Sequence, residues 1–189
     1  MAFDGPGRFP QTRQSVLARV RSADEEIRTR AYGALIAAYW KPVYKYLRLK
    51  WHASPADAED LTQEFFARAI AGRYFDPYDP ARARFRTFLR VCLDGFVANA
   101  RKSGARLKRG GGVLVVPLEF ETAEGELQRH DVAVNDDLDA YFHQEWIRSL
   151  VGLAIERLHG RSAAAGRERQ YTLFHRYDIE GPDAVKKPQ

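Results

Sequence analysis

Arg84-Phe85-Arg86-Thr87-Phe88-Leu89-Arg90-Val91-Cys92-Leu93-Asp94-Gly95-Phe96-Val97 carries the strongest periodicity in the chain. Its apolar residues Phe85, Phe88, Leu89, Cys92, Leu93, Phe96 and Val97 sit at offsets 0, 3, 4, 7, 8, 11 and 12. That is the repeat of one helix face; a strand would bury every second residue instead. The spacing predicts a helix from about Arg84 to Arg106.

The flanking segments read the same way. Upstream, Ser54-Pro55-Ala56-Asp57 is a helix start, with a serine cap and proline at the first position. That helix should run to about Ala71, stop at Gly72, and bury Leu61, Phe65, Phe66, Ala69 and Ile70. Asp57, Asp60, Gln63 and Glu64 fall on its outer stripe. Arg73–Ala83, rich in proline and aspartate, is a turn-rich loop. Ser22-Ala23-Asp24-Glu25 reads as a capping box opening a helix to about Tyr39, with Ile27, Ala31, Ala34, Leu35 and Ala38 inward. Pro42 should break or kink it before a second helical piece, Val43–Leu49 with Trp51. Val113–Leu118 is a short β-branched run expected to be extended. Glu119–Asp139, polar and acidic, is expected to be a linker. Asn135-Asp136-Asp137 can start a helix through Trp146, Leu150, Leu153, Ala154 and Leu158, and a last helix is expected over Ala163–Tyr177. No convincing sheet emerges, so the fold class is all-α.

The 189 residues carry 30 Lys and Arg against 25 Asp and Glu, a net charge of +5, with 45% apolar residues, which suits a folded protein. One cysteine, Cys92, excludes an internal disulfide and argues against a cysteine zinc site. The longest apolar stretch, Gly33–Trp40, is far short of the about 20 residues a membrane span needs. No secretion signal opens the chain, and a cytoplasmic location is the simplest reading.

Charge is segregated. Between Arg82 and Arg109 lie nine bases (Arg82, Arg84, Arg86, Arg90, Arg101, Lys102, Arg106, Lys108, Arg109) and one acid, Asp94. Between Glu119 and Glu145 the balance reverses to nine acids against Arg129. A basic helix bearing aromatics can neutralise phosphates and stack on unpaired bases. A solvated face over an aromatic core is the alternative. Asp57 also has a purely local explanation, since carboxylates favour a helix N-terminus.

Ala58-Glu59-Asp60-Leu61-Thr62-Gln63-Glu64-Phe65-Phe66-Ala67-Arg68 resembles the signature of the second conserved region of bacterial RNA polymerase sigma factors. Arg84–Leu89 and the basic helix after it resemble the stretch that opens and reads the −10 promoter element. Phe9-Pro10-Gln11-Thr12-Arg13, Tyr39-Trp40-Lys41-Pro42-Val43-Tyr44 and Lys108-Arg109-Gly110-Gly111-Gly112 are similar to one branch, the extracytoplasmic-function (ECF) sigma factors. The likeness covers residues 9–112 well and 113–178 loosely.

The resemblance implies a compact helical region 2 bundle over residues 22–112, after an N-terminal extension 1–21. An acidic linker, 113–139, and further helices, 140–189, would follow. It implies that Asp57, Asp60, Gln63, Glu64 and Arg68 dock on the clamp helices of the polymerase's largest subunit. It implies that Arg82, Arg84, Phe85, Arg86, Phe88, Arg90, Asn99, Arg101, Lys102, Arg106, Lys108 and Arg109 contact the −10 non-template strand. The loop Tyr74–Ala83 would help cradle a flipped base. Family members carry a C-terminal helix-turn-helix domain that reads the −35 element. No such motif is seen before Gln189, and that domain is expected to be missing here.

No enzyme motif emerges. His52, His130, His143, His159 and His175 do not pair at a helical metal-site spacing, and no phosphate-binding loop or nucleophile elbow occurs. Cys92 lies on the apolar face, and no cofactor or metal is implied. The sequence supports a sigma factor and, as alternatives, an interaction module for polymerase or an anti-sigma protein that does not initiate transcription, or an unrelated helical nucleic-acid binder.

Overall fold

The computed structural model describes residues 14–102, 118–129 and 137–180, and among these the regular structure is entirely helical. The expected motif at 9–13, the glycine run 110–112, the extended reading of 113–117, and Arg106, Lys108 and Arg109 lie outside the described residues. The helices are α1 (Gln14–Val20), α2 (Glu25–Lys50), α3 (Pro55–Ala71), α4 (Phe85–Lys102), α5 (Phe120–Arg129), α6 (Leu138–Ala164) and α7 (Glu168–Phe174), followed by a π-helical turn, His175–Ile179. The chain divides inside α6 into two compact units, residues 1–149 and 150–189.

In the first unit α2 is the central element, packing on α1, α3 and α5. Three expectations about it are corrected. The cap is Asp24 rather than Ser22: the Asp24 carboxylate accepts from the Glu26 and Ile27 amides at 2.9 and 3.1 Å, while Ser22 Oγ accepts from the Asp24 amide. Pro42 does not end the helix, which runs through it to Lys50. Proline costs a helix interior about 3 kcal/mol. Every residue from Pro42 to Leu47 is buried, however, and packing on all sides of this stretch offsets that cost. Ala31, Leu35 and Ala38 are buried as expected, joined by Tyr32, Ile36, Tyr39 and Trp40, whereas Ile27 and Ala34, expected inward, are exposed.

α3 forms as its signals require. Ser54 Oγ accepts from the Asp57 amide at 3.1 Å, and Leu61, Phe65, Phe66 and Ala69 are buried. Ile70 departs from the expectation and is exposed. At Gly72 a Cβ would stand 2.6 Å from the Tyr74 ring, so the chain turns there only without a side chain. Phe85, Leu89, Leu93, Phe96 and Val97 of α4 are buried, while Phe88 and Cys92 at the margin of the stripe are half-buried.

The core is aromatic. Tyr39 of α2 meets Phe85 at 5.5 Å, Trp146 at 6.1 Å and Phe142 at 6.5 Å between ring centroids. Phe75 and Tyr78 turn inward from the 73–83 loop onto Phe85. Buried hydroxyls find acceptors: Tyr32 donates to the Ala69 carbonyl at 3.2 Å, and burial pushes its phenol up to about 12.

Part of the acidic stretch expected to be a linker is helical. Residues 120–129 form α5, because Phe120 inserts between Trp40 and Tyr44, 5.3 Å from each, and Ala123 is fully buried. α6 starts as expected, with Asp137 Oδ1 accepting from the Asp139 amide at 2.9 Å, but continues beyond Leu158 to Ala164.

In the second unit, Gly166 takes φ +64° and ends α6, so the single helix expected over 163–177 is instead α7 plus the π turn. Tyr171 packs on His159 at 4.6 Å and on His175 at 5.7 Å. None of the described residues of this unit is buried.

Candidate functional site

Two faces of the first unit carry the residues singled out from the sequence. On α3, Asp57 and Gln63 are exposed and Asp60 is half-buried. Asp57 also has a local task, accepting from Ser54 Oγ at 2.7 Å while its amide donates back. Glu64 is largely covered and ion-paired with Arg68, one turn on. Arg68 leans over the Phe96 ring at 5.5 Å. The outward group is therefore Asp57, Asp60 and Gln63, with Glu64 already compensated.

On α4 and just before it the polar residues singled out divide in two. Arg82, Arg84, Asn99, Arg101 and Lys102 are exposed. Arg101 lies on the Trp51 ring at 4.8 Å and donates to the Trp51 carbonyl at 2.5 Å. Arg90, by contrast, has a side chain only 15% exposed, ion-paired with Asp139 and 5.8 Å from the Tyr46 ring. Arg86 is half-buried over the Trp146 ring at 5.4 Å. Phe85 is 2% exposed and belongs to the core, whereas Phe88 is half-buried, so of the two aromatics only Phe88 offers a surface. The single acid of the basic segment, Asp94, is spent locally on Lys50 at 2.7 Å, Trp51 Nε1 at 3.0 Å and Tyr46. Burial pushes the half-buried Cys92 thiol up, which favours its protonated form.

Where α4 and α6 begin, Arg84, Arg86, Thr87, Arg90, Asp139, Ala140, Phe142 and His143 enclose a cleft of about 260 Å³. Burial, with Arg84 alongside, lowers the Arg86 guanidinium from its ordinary value. Burial, then Arg86 and Arg84, holds the His143 imidazole below its ordinary value, so it is neutral at pH 7. Sequence reasoning missed this α6 contribution. The signal available was the Phe142–Trp146 pair, one turn apart on an apolar face. Neither residue announces that Asp139 and His143 between and before them meet α4. Among the described residues no group of three or more His, Cys, Asp or Glu is placed to hold a metal ion, and no helix is long and apolar enough to cross a membrane.

Residues 35–107, spanning most of α2, all of α3 and α4 and a few residues beyond, match the family model of Sigma-70 region 2. That segment, well under half of the chain, is therefore similar to sigma-70 region 2. No curated protein and no solved structure matches the chain.

Proposed function

From that match we propose that this chain is a sigma factor of the ECF type, working in the cytoplasm with core RNA polymerase. Residues 22–112 serve as the region 2 unit, and residues 113–139 lead from it to the C-terminal helices in 140–189. The outer face of α3, through Asp57, Asp60, Gln63, Glu64 and Arg68, docks on the clamp helices of the largest subunit; complementary charge steers the encounter and sets the register. α4 and its flanks take the −10 non-template strand. Arg82, Arg84, Arg101 and Lys102 neutralise phosphates, and Phe88 offers a surface to an unpaired base. The observation that carries this reading is that the matched segment folds with both faces still open, at Asp57 and Gln63 on α3 and at Arg84, Arg101 and Lys102 on α4.

The test is run-off transcription from a −10-containing template with core polymerase and the full chain, beside a core pull-down. Transcripts are expected. Asp60→Arg should weaken core binding about tenfold by placing a cation against a basic partner, with the circular dichroism spectrum unchanged. Loss of neither core binding nor transcripts in that variant would remove α3 from the interface. A second reading is favoured by one observation: Arg86 and Arg90 are engaged by Trp146, Tyr46 and Asp139. On that reading the chain is a module held by polymerase or an anti-sigma protein that does not initiate, and it gives core binding without transcripts.

A further inference from the structure

We infer that the cleft between the first turn of α4 and the start of α6 is a phosphate-binding site, with Arg84 and Arg86 as its cations and Thr87 and His143 as its hydrogen-bonding groups. Size is the first reason. At about 260 Å³ the cleft is smaller than the roughly 300–1,000 Å³ of pockets for drug-sized ligands and has room for a phosphate group.

Charge is the second reason. Three arginines and one carboxylate line the cleft, and the carboxylate, Asp139, is taken by Arg90. Among the described residues, Arg84 and Arg86 have no carboxylate partner. Two uncompensated guanidiniums bordering one concavity repel each other, and a phosphate between them would relieve that repulsion while accepting forked hydrogen bonds.

Unmet hydrogen-bonding capacity is the third reason. His143 Nδ1 is buried with no hydrogen-bond partner in another residue, and Arg90 Nε is a second buried orphan beside the same space. Buried polar atoms are nearly always paired; neither atom is open to a water-sized probe as the side chains stand, so a ligand oxygen reaches them only when the His143 ring and the Arg90 side chain shift. The neutral imidazole brings one ring N–H to an anion without a further desolvated charge.

His143 lies outside the segment matched to region 2, so the match gives it no role. The phosphate can belong to a DNA backbone or to a free phosphorylated molecule. The DNA source rests on the proposed function; the free source does not.

The full chain is titrated with inorganic phosphate, pyrophosphate and a −10-sequence single-stranded oligonucleotide at constant ionic strength, following the His143 ring resonances, with oligonucleotide anisotropy in parallel. A saturable His143 shift is expected, weakened about tenfold in Arg84→Ala as one charge-assisted contact is lost and unchanged in Arg30→Ala, an exposed control on α2. If the oligonucleotide also moves His143 and phosphate displaces it, the source is the DNA backbone. If phosphate alone moves His143 while the oligonucleotide binds without doing so, the site stands with a free phosphate as its ligand. If the oligonucleotide binds and no titrant moves His143, the DNA reading survives and the phosphate site is overturned. If nothing binds at all, both fall.

Discussion

α3 and α5 are both acidic helices packed on α2, yet they dispose of their charge in opposite ways. On α5, Glu124 receives Arg48 in a two-pronged contact at 2.8 and 2.9 Å and the Tyr44 hydroxyl at 2.7 Å. Glu126 receives Lys41 and Lys45, each at 2.8 Å. Lys45 is itself 2% exposed and reaches Glu145 of α6 at 2.5 Å. On α3, Asp57 and Gln63 face outward, and among the described residues no cation of another element pairs with them. Acidic composition is therefore no guide to whether an acid is available to a partner. What decides it is the basic content of the helix lying underneath, which the two segments do not share: α5 sits over Lys41, Lys45 and Arg48, whereas α3 buries apolar side chains.

The sharpest way to break this contrast is to remove the shared cation. Lys45→Ala removes the buried cation between Glu145 and Glu126, leaving Glu145 with the more exposed Arg148 and Glu126 with Lys41, and should cost about 3–4 kcal/mol in urea denaturation. Pairing it with Glu145→Leu should recover part of that loss, since the under-compensated buried charge goes with it. Next in size, Phe120→Ala empties the space between Trp40 and Tyr44 and should cost about 3 kcal/mol, with hydrogen exchange rising in α5 first.

Acid sharpens the contrast further. The Glu124 carboxyl is held below its ordinary value by Arg48, against the opposing effect of burial. Burial pushes Glu126 up, but the hydrogen bonds from Lys41 and Lys45 outweigh it and leave that carboxyl lowered too. A carboxylate lowered by folding contributes its stability in full above its unfolded value, near 4.3, and loses it as pH falls through the folded value. α5 should therefore loosen below about pH 4, a change that amide exchange measured residue by residue will resolve. The smallest effect is on α3 itself: Gln63→Ala should change stability by no more than about 0.5 kcal/mol while weakening capture of core polymerase. A larger loss of stability would mean that the α3 face is structural after all.

Much of the helical framework was legible in the residues. The 84–97 periodicity located α4 and its buried face because one amphipathic stripe has only one way to meet a core. Ser54, Pro55 and Gly72 bounded α3 because caps and turn conformations are local chemistry. The candidate faces were legible only as lists. Phe85 and Phe88 look alike in sequence, one turn apart; the inward-turned Phe75 and Tyr78 claim Phe85 for the core and leave Phe88 at its edge.

Local chemistry, then, determined that this chain is helical, where α3 and α4 lie, and that its bases and acids are gathered into separate segments. Only the tertiary structure decided which of those charges remain to be used. It carried α2 unbroken through Pro42, folded part of the acidic stretch into α5, and laid the start of α6 against Arg86 and Arg90. The reason is physical: helix signals act over a turn or two of backbone, whereas the partner of a charge is set by packing between residues as far apart in the chain as Lys45 and Glu145.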